Sequence, residues 1–151
     1  MTGNVDQPYA GAWEGATHRF ALRVYFEDTD AAGIVYYANY LKYMERARSD
    51  MLRSLGIDQR PVLERGDGVY VVAEAHIKYR GSARLDDALL IVSTLEEIRA
   101  ASCVIHQRVM RGPDILADGR ITAAFVAPGG RPKRQPRDWV ERFERLKREG
   151  A

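Results

Sequence analysis

Hydrophobic and polar positions alternate along several stretches of the chain, and this two-residue period is typical of half-buried β-strands. Two β-rich stretches are separated only by the short loop around Arg99 and Ala100, a spacing that predicts a hairpin. The pattern therefore predicts about five strands in a largely antiparallel sheet. These strands cover residues 18–26, 69–79, 88–98, 102–111 and 120–127.

A different period marks one long helix between the first two strands, over residues 38–55. Apolar residues recur there at steps of three and four, and Gly56 supplies a stop signal. The apolar spacing near the C-terminus predicts a short amphipathic helix, marked by Trp139, Val140, Phe143 and Leu146. The stripe of the long helix consists of Leu41, Met44, Ala47 or Arg48, Met51, Leu52 and Leu55.

The remaining segments lack either period. Residues 1–17 predict a loose arm, residues 58–67 a polar loop, and residues 128–136 a basic linker rich in Pro and Gly. Residues 18–151 then form a single α+β domain, in which the long helix covers one face of the sheet. A single helix cannot cover every apolar surface and sheet edge, which favours a homo-oligomer.

Composition excludes several classes of protein. The 151 residues are 46% hydrophobic and 29% charged, as in folded globular domains, and no run reaches the ~18 apolar residues of a membrane span. A formal net charge of +2 does not require a nucleic-acid partner. The single cysteine, Cys103, cannot form an intrachain disulfide. No signal peptide is visible, so a cytoplasmic location is expected.

The acidic turn between the first strand and the long helix, residues 27–33, is the strongest candidate for chemistry. Asp28 and Asp30 can simply cap a helix or stabilise a turn. A calcium loop starting at Asp28 fails because Asn39 stands where its glutamate is required. An aspartyl-phosphate phosphatase would need a parallel α/β domain, and two carboxylates alone leave a metal short of ligands. No metal or other cofactor is expected.

A longer string extends this turn: Asp30-Ala31-Ala32-Gly33-Ile34-Val35-Tyr36-Tyr37-Ala38-Asn39-Tyr40. It resembles the active-site motif of hotdog-fold acyl-CoA thioesterases of the 4-hydroxybenzoyl-CoA thioesterase class. The segments 23–30, 43–48 and 83–87 extend the resemblance, most closely to the Tol-Pal-associated acyl-CoA thioesterases. It covers about residues 20–145 and implies a hotdog fold, an antiparallel sheet of about five strands wrapped around one long helix.

The resemblance also implies roles for individual residues. Asp30 falls on the catalytic aspartate, acting as nucleophile or general base. Tyr37 falls where the backbone N–H at the helix start holds the thioester oxygen. Many close relatives carry His at that position, whereas the 4-hydroxybenzoyl branch carries Tyr. Gly33 and Val35 are expected to contact the substrate beside them, and the freedom of Gly33 lets the backbone approach a ligand.

Binding of the CoA phosphates is expected from basic residues near the mouth of the site. Arg99 and Ser102 lie where the family has a nucleotide-contact loop, although Arg99 can equally be an exposed turn residue. The basic linker with Arg131, Lys133 and Arg134 is expected to be solvated, with binding to a membrane surface as the alternative.

Other polar residues are expected to have structural roles. Glu45 lies about two to three turns farther along the helix, and we expect it to have a surface or ion-pair role. His76 and His106 stand in strand patterns that predict hydrogen-bonded structural roles, and His18 belongs to no cluster. Ser102 has no partner pattern for a serine nucleophile.

The sequence therefore predicts an enzyme that hydrolyses acyl-CoA thioesters to free acid and CoA. The resemblance implies a dimer with shared sites, often assembled into a tetramer. The alternatives are a module that binds acyl-CoA or acyl carrier protein without hydrolysis, and an adaptor for cell-envelope or lipid-synthesis proteins.

Overall fold

The computed structural model describes residues 5–150. Its six strands form one antiparallel sheet in the order β1-β2-β4-β5-β6-β3, with three α-helices around it. The strands are β1 (Ala12–Glu14), β2 (Thr17–Arg23), β3 (Val69–Tyr79), β4 (Ala88–Ile98), β5 (Ser102–Arg111) and β6 (Asp114–Val126). The helices are α1 (Asn39–Ser54), α2 (Gln59–Glu64) and α3 (Arg137–Glu149).

The long helix α1 packs against one face of the sheet and carries the main core. Its buried face consists of Tyr40, Tyr43, Met44, Ala47, Asp50 and Met51. This face packs on sheet residues such as Leu89, Ile91 and Val109, each at most 1% exposed. The helix begins and ends within one residue of the predicted segment 38–55, because a full apolar stripe defines it.

Strand β3 occupies one edge of the sheet, although it is the third strand along the chain. It pairs only with β6, from Val69 opposite Val126 to Tyr79 opposite Ala117. Its 11 residues leave the other side of the strand without a neighbour among residues 5–150. Val71 and Val72 are 43% and 50% exposed there, so a long edge with two exposed valines is open to a partner.

Three short or irregular segments differ from the sequence predictions. Ala12–Glu14 pairs with β2, so the loose-arm prediction is wrong for these residues and the sheet has six strands. The predicted polar loop 58–67 contains helix α2, which the Asp58 side chain caps by accepting the Arg60 N–H. Strand β6 starts at Asp114, six residues before the predicted start. Residues 1–4 of the predicted arm and residue 151 of the predicted domain lie outside the described residues.

A buried polar cluster fastens the N-terminal segment to α1. His18 Nε2 lies 2.7 Å from Asp50 Oδ2, and the Gly11 N–H donates to the same oxygen at 3.0 Å. Burial of His18 lowers its pKa despite the carboxylate beside it. A Cβ at Gly11 would lie 2.3 Å from the Arg19 carbonyl oxygen, so only glycine fits this close approach.

Within residues 5–150, no helix is both long and apolar enough to cross a membrane.

Candidate active site

The acidic turn predicted from the sequence forms a compact loop between β2 and α1. The loop begins with a short 3-10 helix, Phe26–Asp28. The Asp28 side chain caps the start of this helix, because its Oδ2 accepts the Tyr25 N–H at 2.8 Å. The Asp28 carbonyl oxygen accepts the Tyr36 N–H at 2.9 Å and the Asn39 side-chain amide at 2.8 Å. Asp28 therefore stabilises the turn, as the sequence predicts.

Asp30 stands at the exposed tip of this loop. Its N–H donates to the Ile34 carbonyl oxygen at 2.9 Å, and its own carbonyl oxygen accepts the Gly33 N–H at 2.9 Å. One carboxylate oxygen, Oδ1, accepts the Ala32 N–H at 2.9 Å, while Oδ2 has no hydrogen bond within residues 5–150. The turn therefore holds the carboxylate in one orientation and leaves one oxygen available.

The turn needs a left-handed residue at Gly33, whose φ is +79°. Val35 follows and is 2% exposed, with its side chain in the core and its N–H donating to the Ala83 carbonyl oxygen at 2.8 Å. Val35 thus anchors the loop, whereas Gly33 is exposed beside Asp30. The expected substrate contact of Val35 stays a prediction.

The start of α1 offers free backbone donors. The N–H groups of Tyr37 and Ala38 have no acceptor among the described residues, and no side chain caps the helix. Unpaired N–H groups at a helix N-terminus carry partial positive charge. Such donors can hold an oxygen that becomes negative during a reaction.

Aromatic side chains surround this helix start. The ring of Tyr37, 60% exposed, packs against Tyr36 at 5.2 Å and against Tyr79 at 5.7 Å between ring centroids. Tyr79 also contacts Tyr40, which accepts the Ala83 N–H on its hydroxyl at 3.1 Å. The C-terminal end of β3, which carries Tyr79, therefore lies at the Asp30 loop.

Arg99 and Ser102 lie in the turn between β4 and β5. The Arg99 N–H donates to the Ser102 carbonyl oxygen at 2.8 Å, which closes the turn. The exposed guanidinium of Arg99 makes two hydrogen bonds to Glu97, at 2.9 and 3.0 Å. Glu97, and secondarily Glu74 on β3, raise the pKa of Arg99.

Within one chain the structure does not bring Arg99 and Ser102 to Asp30. The start of β4 lies beside the end of β2, where Ala88 pairs with Arg23 and the Asp30 loop follows. Arg99 follows the other end of β4, and 11 residues of strand span roughly 33 Å. The two predicted parts of the site therefore lie at opposite ends of the sheet.

A cavity that the sequence analysis did not predict lies behind the second half of α1. It has a volume of about 190 Å³. Arg48 stands in its wall and donates to the buried Gln107 at 3.0 Å, and burial lowers the Arg48 pKa. No carboxylate in the described part of the chain forms a salt bridge with Arg48. The apolar lining of the cavity includes Trp13, Met51, Leu52, Leu95 and Ile105.

The other polar candidates lie away from the loop. His106 Nε2 lies 2.6 Å from Asp118 Oδ1, which confirms its predicted structural role. His76 is exposed on β3 and its side chain makes no hydrogen bond within residues 5–150, so the prediction of a hydrogen-bonded imidazole is wrong there. Glu45 is an exposed side chain that accepts the Ser49 hydroxyl at 2.9 Å. No group of three or more His, Cys, Asp or Glu side chains in residues 5–150 could hold a metal ion.

Comparison with protein families and curated proteins gives consistent matches. The family described as "Thioesterase superfamily" matches residues 32–117, which begin two residues after Asp30 and include the start of α1. The acyl-CoA thioesterase YbgC of Haemophilus influenzae is 38% identical over 129 residues, covering 85% of this chain and 95% of that protein. The acyl-CoA thioester hydrolase YbgC of Escherichia coli is 34% identical and covers 83% and 95%.

Solved structures match over a similar extent. A probable thioesterase from Bartonella henselae has a TM-score of 0.75 and 32% identity, covering 80% of this chain and all of that one. A 4-hydroxybenzoyl CoA thioesterase mutant in complex with 4-hydroxybenzoyl CoA has a TM-score of 0.75 and 25% identity, covering 85% and 99%. The predicted α+β hotdog fold is confirmed, with six strands in place of about five.

Proposed function

The chain belongs to the thioesterase superfamily, and from this premise we propose that it hydrolyses acyl-CoA thioesters to a free acid and CoA. The observation that carries the proposal is that the structure has both an exposed Asp30 carboxylate and unpaired N–H groups at the start of α1. The carboxylate can attack the thioester carbon or activate a water molecule, and the N–H groups can bind the carbonyl oxygen. Asp30 lies in a short loop closed by its own backbone hydrogen bonds, and the start of α1 follows directly after that loop.

In this proposal the Tyr37 N–H polarises the thioester carbonyl. Negative charge builds on that oxygen as the carbonyl carbon is attacked, and donors aimed at it commonly contribute about 3–4 kcal/mol. Asp30 then acts in one of two ways. It attacks the carbonyl carbon and displaces CoA as the thiolate, leaving an anhydride that water hydrolyses, or it takes a proton from the water that attacks directly.

We further propose that the working form is a homodimer whose sites are shared. The open edge of β3 is a ready surface for a second copy, and a two-fold axis makes identical strands pair antiparallel. The C-terminal end of one β3 then lies beside the N-terminal part of its partner. Tyr79 at the C-terminal end contacts Tyr37, while Tyr70 near the other end lies beside the Arg99 turn.

This pairing would bring the Arg99 turn of one protomer towards the Asp30 loop of the other. The separation of roughly 33 Å within one chain thus supports a shared site. Arg99 and Ser102 would contact the nucleotide part of CoA, with a phosphate competing with Glu97 for the guanidinium.

The test is hydrolysis of short, long and aromatic acyl-CoAs, and of acyl carrier protein thioesters, by the wild type and by Asp30→Asn. We expect Asp30→Asn to lower kcat by roughly 10²–10⁴-fold with its fold and oligomeric state unchanged, because the amide can neither attack nor take a proton. Asp114→Asn, an exposed residue at the start of β6, is the control and should keep wild-type activity.

Three outcomes separate the readings. Asp30→Asn with more than about a tenth of wild-type activity would remove Asp30 from the chemistry. A wild type that hydrolyses no thioester but binds acyl-CoA would be a binding module. A wild type that neither binds nor hydrolyses these esters would favour the adaptor function over the enzyme and the binding module.

A further inference from the structure

A single buried glutamine connects the Arg99 turn to the segment before α3. Gln135 is 4% exposed, and its Nε2 donates to the Arg99 carbonyl oxygen at 2.7 Å and to the Ser102 carbonyl oxygen at 3.2 Å. Its backbone N–H donates to the Ala100 carbonyl oxygen at 3.0 Å. One residue therefore binds three of the backbone carbonyls in and beside this turn.

The other side of the same amide is held equally firmly. Gln135 Oε1 accepts hydrogen bonds from the Tyr70 hydroxyl and, at 3.2 Å, from the Cys103 thiol. Burial raises the pKa of Cys103 to about 11 and raises the pKa of Tyr70 as well, so both groups keep their protons at neutral pH. Two donors fixed on Oε1 leave Nε2 to face the turn, which sets the orientation of the amide.

The turn is also attached to β6, where the Phe125 N–H donates to the Ala101 carbonyl oxygen at 2.7 Å, but that bond does not reach the carbonyl oxygens of Arg99 and Ser102. Arg99 is exposed, and within the described residues its guanidinium forms a salt bridge only with Glu97 on its own hairpin. The linker before Gln135 runs over exposed residues 131–134. Immobilising the backbone of a loop before a ligand arrives lowers the entropy lost on binding.

We propose that Gln135 is a positioning residue for CoA recognition: it holds the turn that presents Arg99 and Ser102 in its binding conformation. This rests on the proposed function, in which these two residues contact the nucleotide part of CoA. Gln135 itself touches neither the substrate nor the reacting atoms. It acts on binding of the CoA moiety and leaves the chemistry at Asp30 unchanged.

The test compares two thioesters with the same acyl group, one of CoA and one of N-acetylcysteamine, which lacks the nucleotide. Gln135→Met keeps the length of the side chain and removes all of its hydrogen bonds. We expect KM for the CoA thioester to rise about tenfold with little change in kcat, the pattern of lost uniform binding. For the N-acetylcysteamine thioester, kcat/KM should stay within about twofold.

Gln107→Met is the matched control. Gln107 is also fully buried, and its side chain accepts from Arg48 and donates to the Met44 carbonyl oxygen and the Ser93 hydroxyl. It makes no contact with the Arg99 turn. Its loss should reduce stability and leave the ratio of the two kcat/KM values unchanged.

Arg99→Ala separates this inference from the proposed function. A wild type inactive on both thioesters overturns the proposed hydrolysis, and an Arg99→Ala ratio equal to wild type overturns the CoA contact. If Arg99→Ala shifts the ratio and Gln135→Met changes both substrates equally, Gln135 is structural only and this inference is wrong. Should Gln135→Met not fold, Tyr70→Phe, which removes one donor to Oε1, must shift the ratio in the same direction.

Discussion

The Tyr37 side chain and the Tyr37 backbone have separate tasks in the proposed reaction. The N–H belongs to the helix start, whereas the ring packs on Tyr36 and Tyr79 and its hydroxyl makes no hydrogen bond within residues 5–150. Tyr37→Phe keeps both the N–H and the ring contacts. We therefore expect kcat/KM to stay within roughly threefold of wild type in a steady-state assay. A loss comparable to that of Asp30→Asn would give the hydroxyl a role in catalysis.

Two carboxylates only two positions apart illustrate what single residues reveal in a sequence. Asp28 and Asp30 both fit a turn-capping pattern, and composition alone does not distinguish them. In the structure the Asp28 carboxylate accepts the Tyr25 N–H, whereas one carboxylate oxygen of Asp30 has no hydrogen bond within residues 5–150. The resemblance of residues 30–40 to a family motif distinguished Asp30 from Asp28. Such a motif can be recognised in a sequence because its residues are contiguous along the chain.

The acidic loop is the element on which the proposed chemistry depends, and Gly33 tests its shape. A Cβ at Gly33 would meet nothing within 4 Å, so Gly33→Ala adds only the strain of φ +79°. That strain is of the order of 1–2 kcal/mol. Relaxing it should move Asp30, so we expect kcat to fall about tenfold or more in the acyl-CoA assay, together with a lower Tm.

The β5–β6 hairpin offers a matched control for that variant. Gly112 has φ +55°, and a Cβ there would also meet nothing within 4 Å. Gly112→Ala should lower the Tm by a similar amount and leave kcat unchanged. Equal kcat values for the two glycine variants would show that the shape of the acidic loop does not control the rate.

Most elements were predictable where they are long enough to show a period, although the first six residues of β6, the longest strand, were missed. Helix α1 covers four turns and strands β3 to β5 each span ten or eleven residues, so their patterns were complete. Strand β1 has three residues and α2 has six, too few for either period to show. The Gln135 cluster gave no signal either, because Tyr70, Cys103 and Gln135 are far apart in sequence and meet only through β3, β5 and the linker.

At the scale of the whole molecule, the shared-site proposal makes a quantitative prediction. Mixing equal amounts of Asp30→Asn and Arg99→Ala chains, with free exchange, makes about half of the dimers mixed. In each mixed dimer one site has both defects and the other has neither. Two-fold symmetry therefore predicts that about a quarter of all sites become fully active.

This recovery is measured as acyl-CoA hydrolysis before and after exchange, with exchange followed by native mass spectrometry. Arg99→Ala alone must show a clearly raised KM for the recovery to be visible. Activity that stays at the average of the two parent variants after complete exchange would place Arg99 and Asp30 of each site in the same chain.

The position of β3 at the far edge of the sheet also has a consequence for the order of folding. β3 precedes β4 to β6 in the chain, yet among the strands of residues 5–150 it pairs with β6 alone, with Val69 opposite Val126. The β4–β5 and β5–β6 hairpins can close locally, whereas β3 must wait until the chain beyond them has been synthesised. A nascent chain on the ribosome therefore cannot offer a docked β3 edge to another copy.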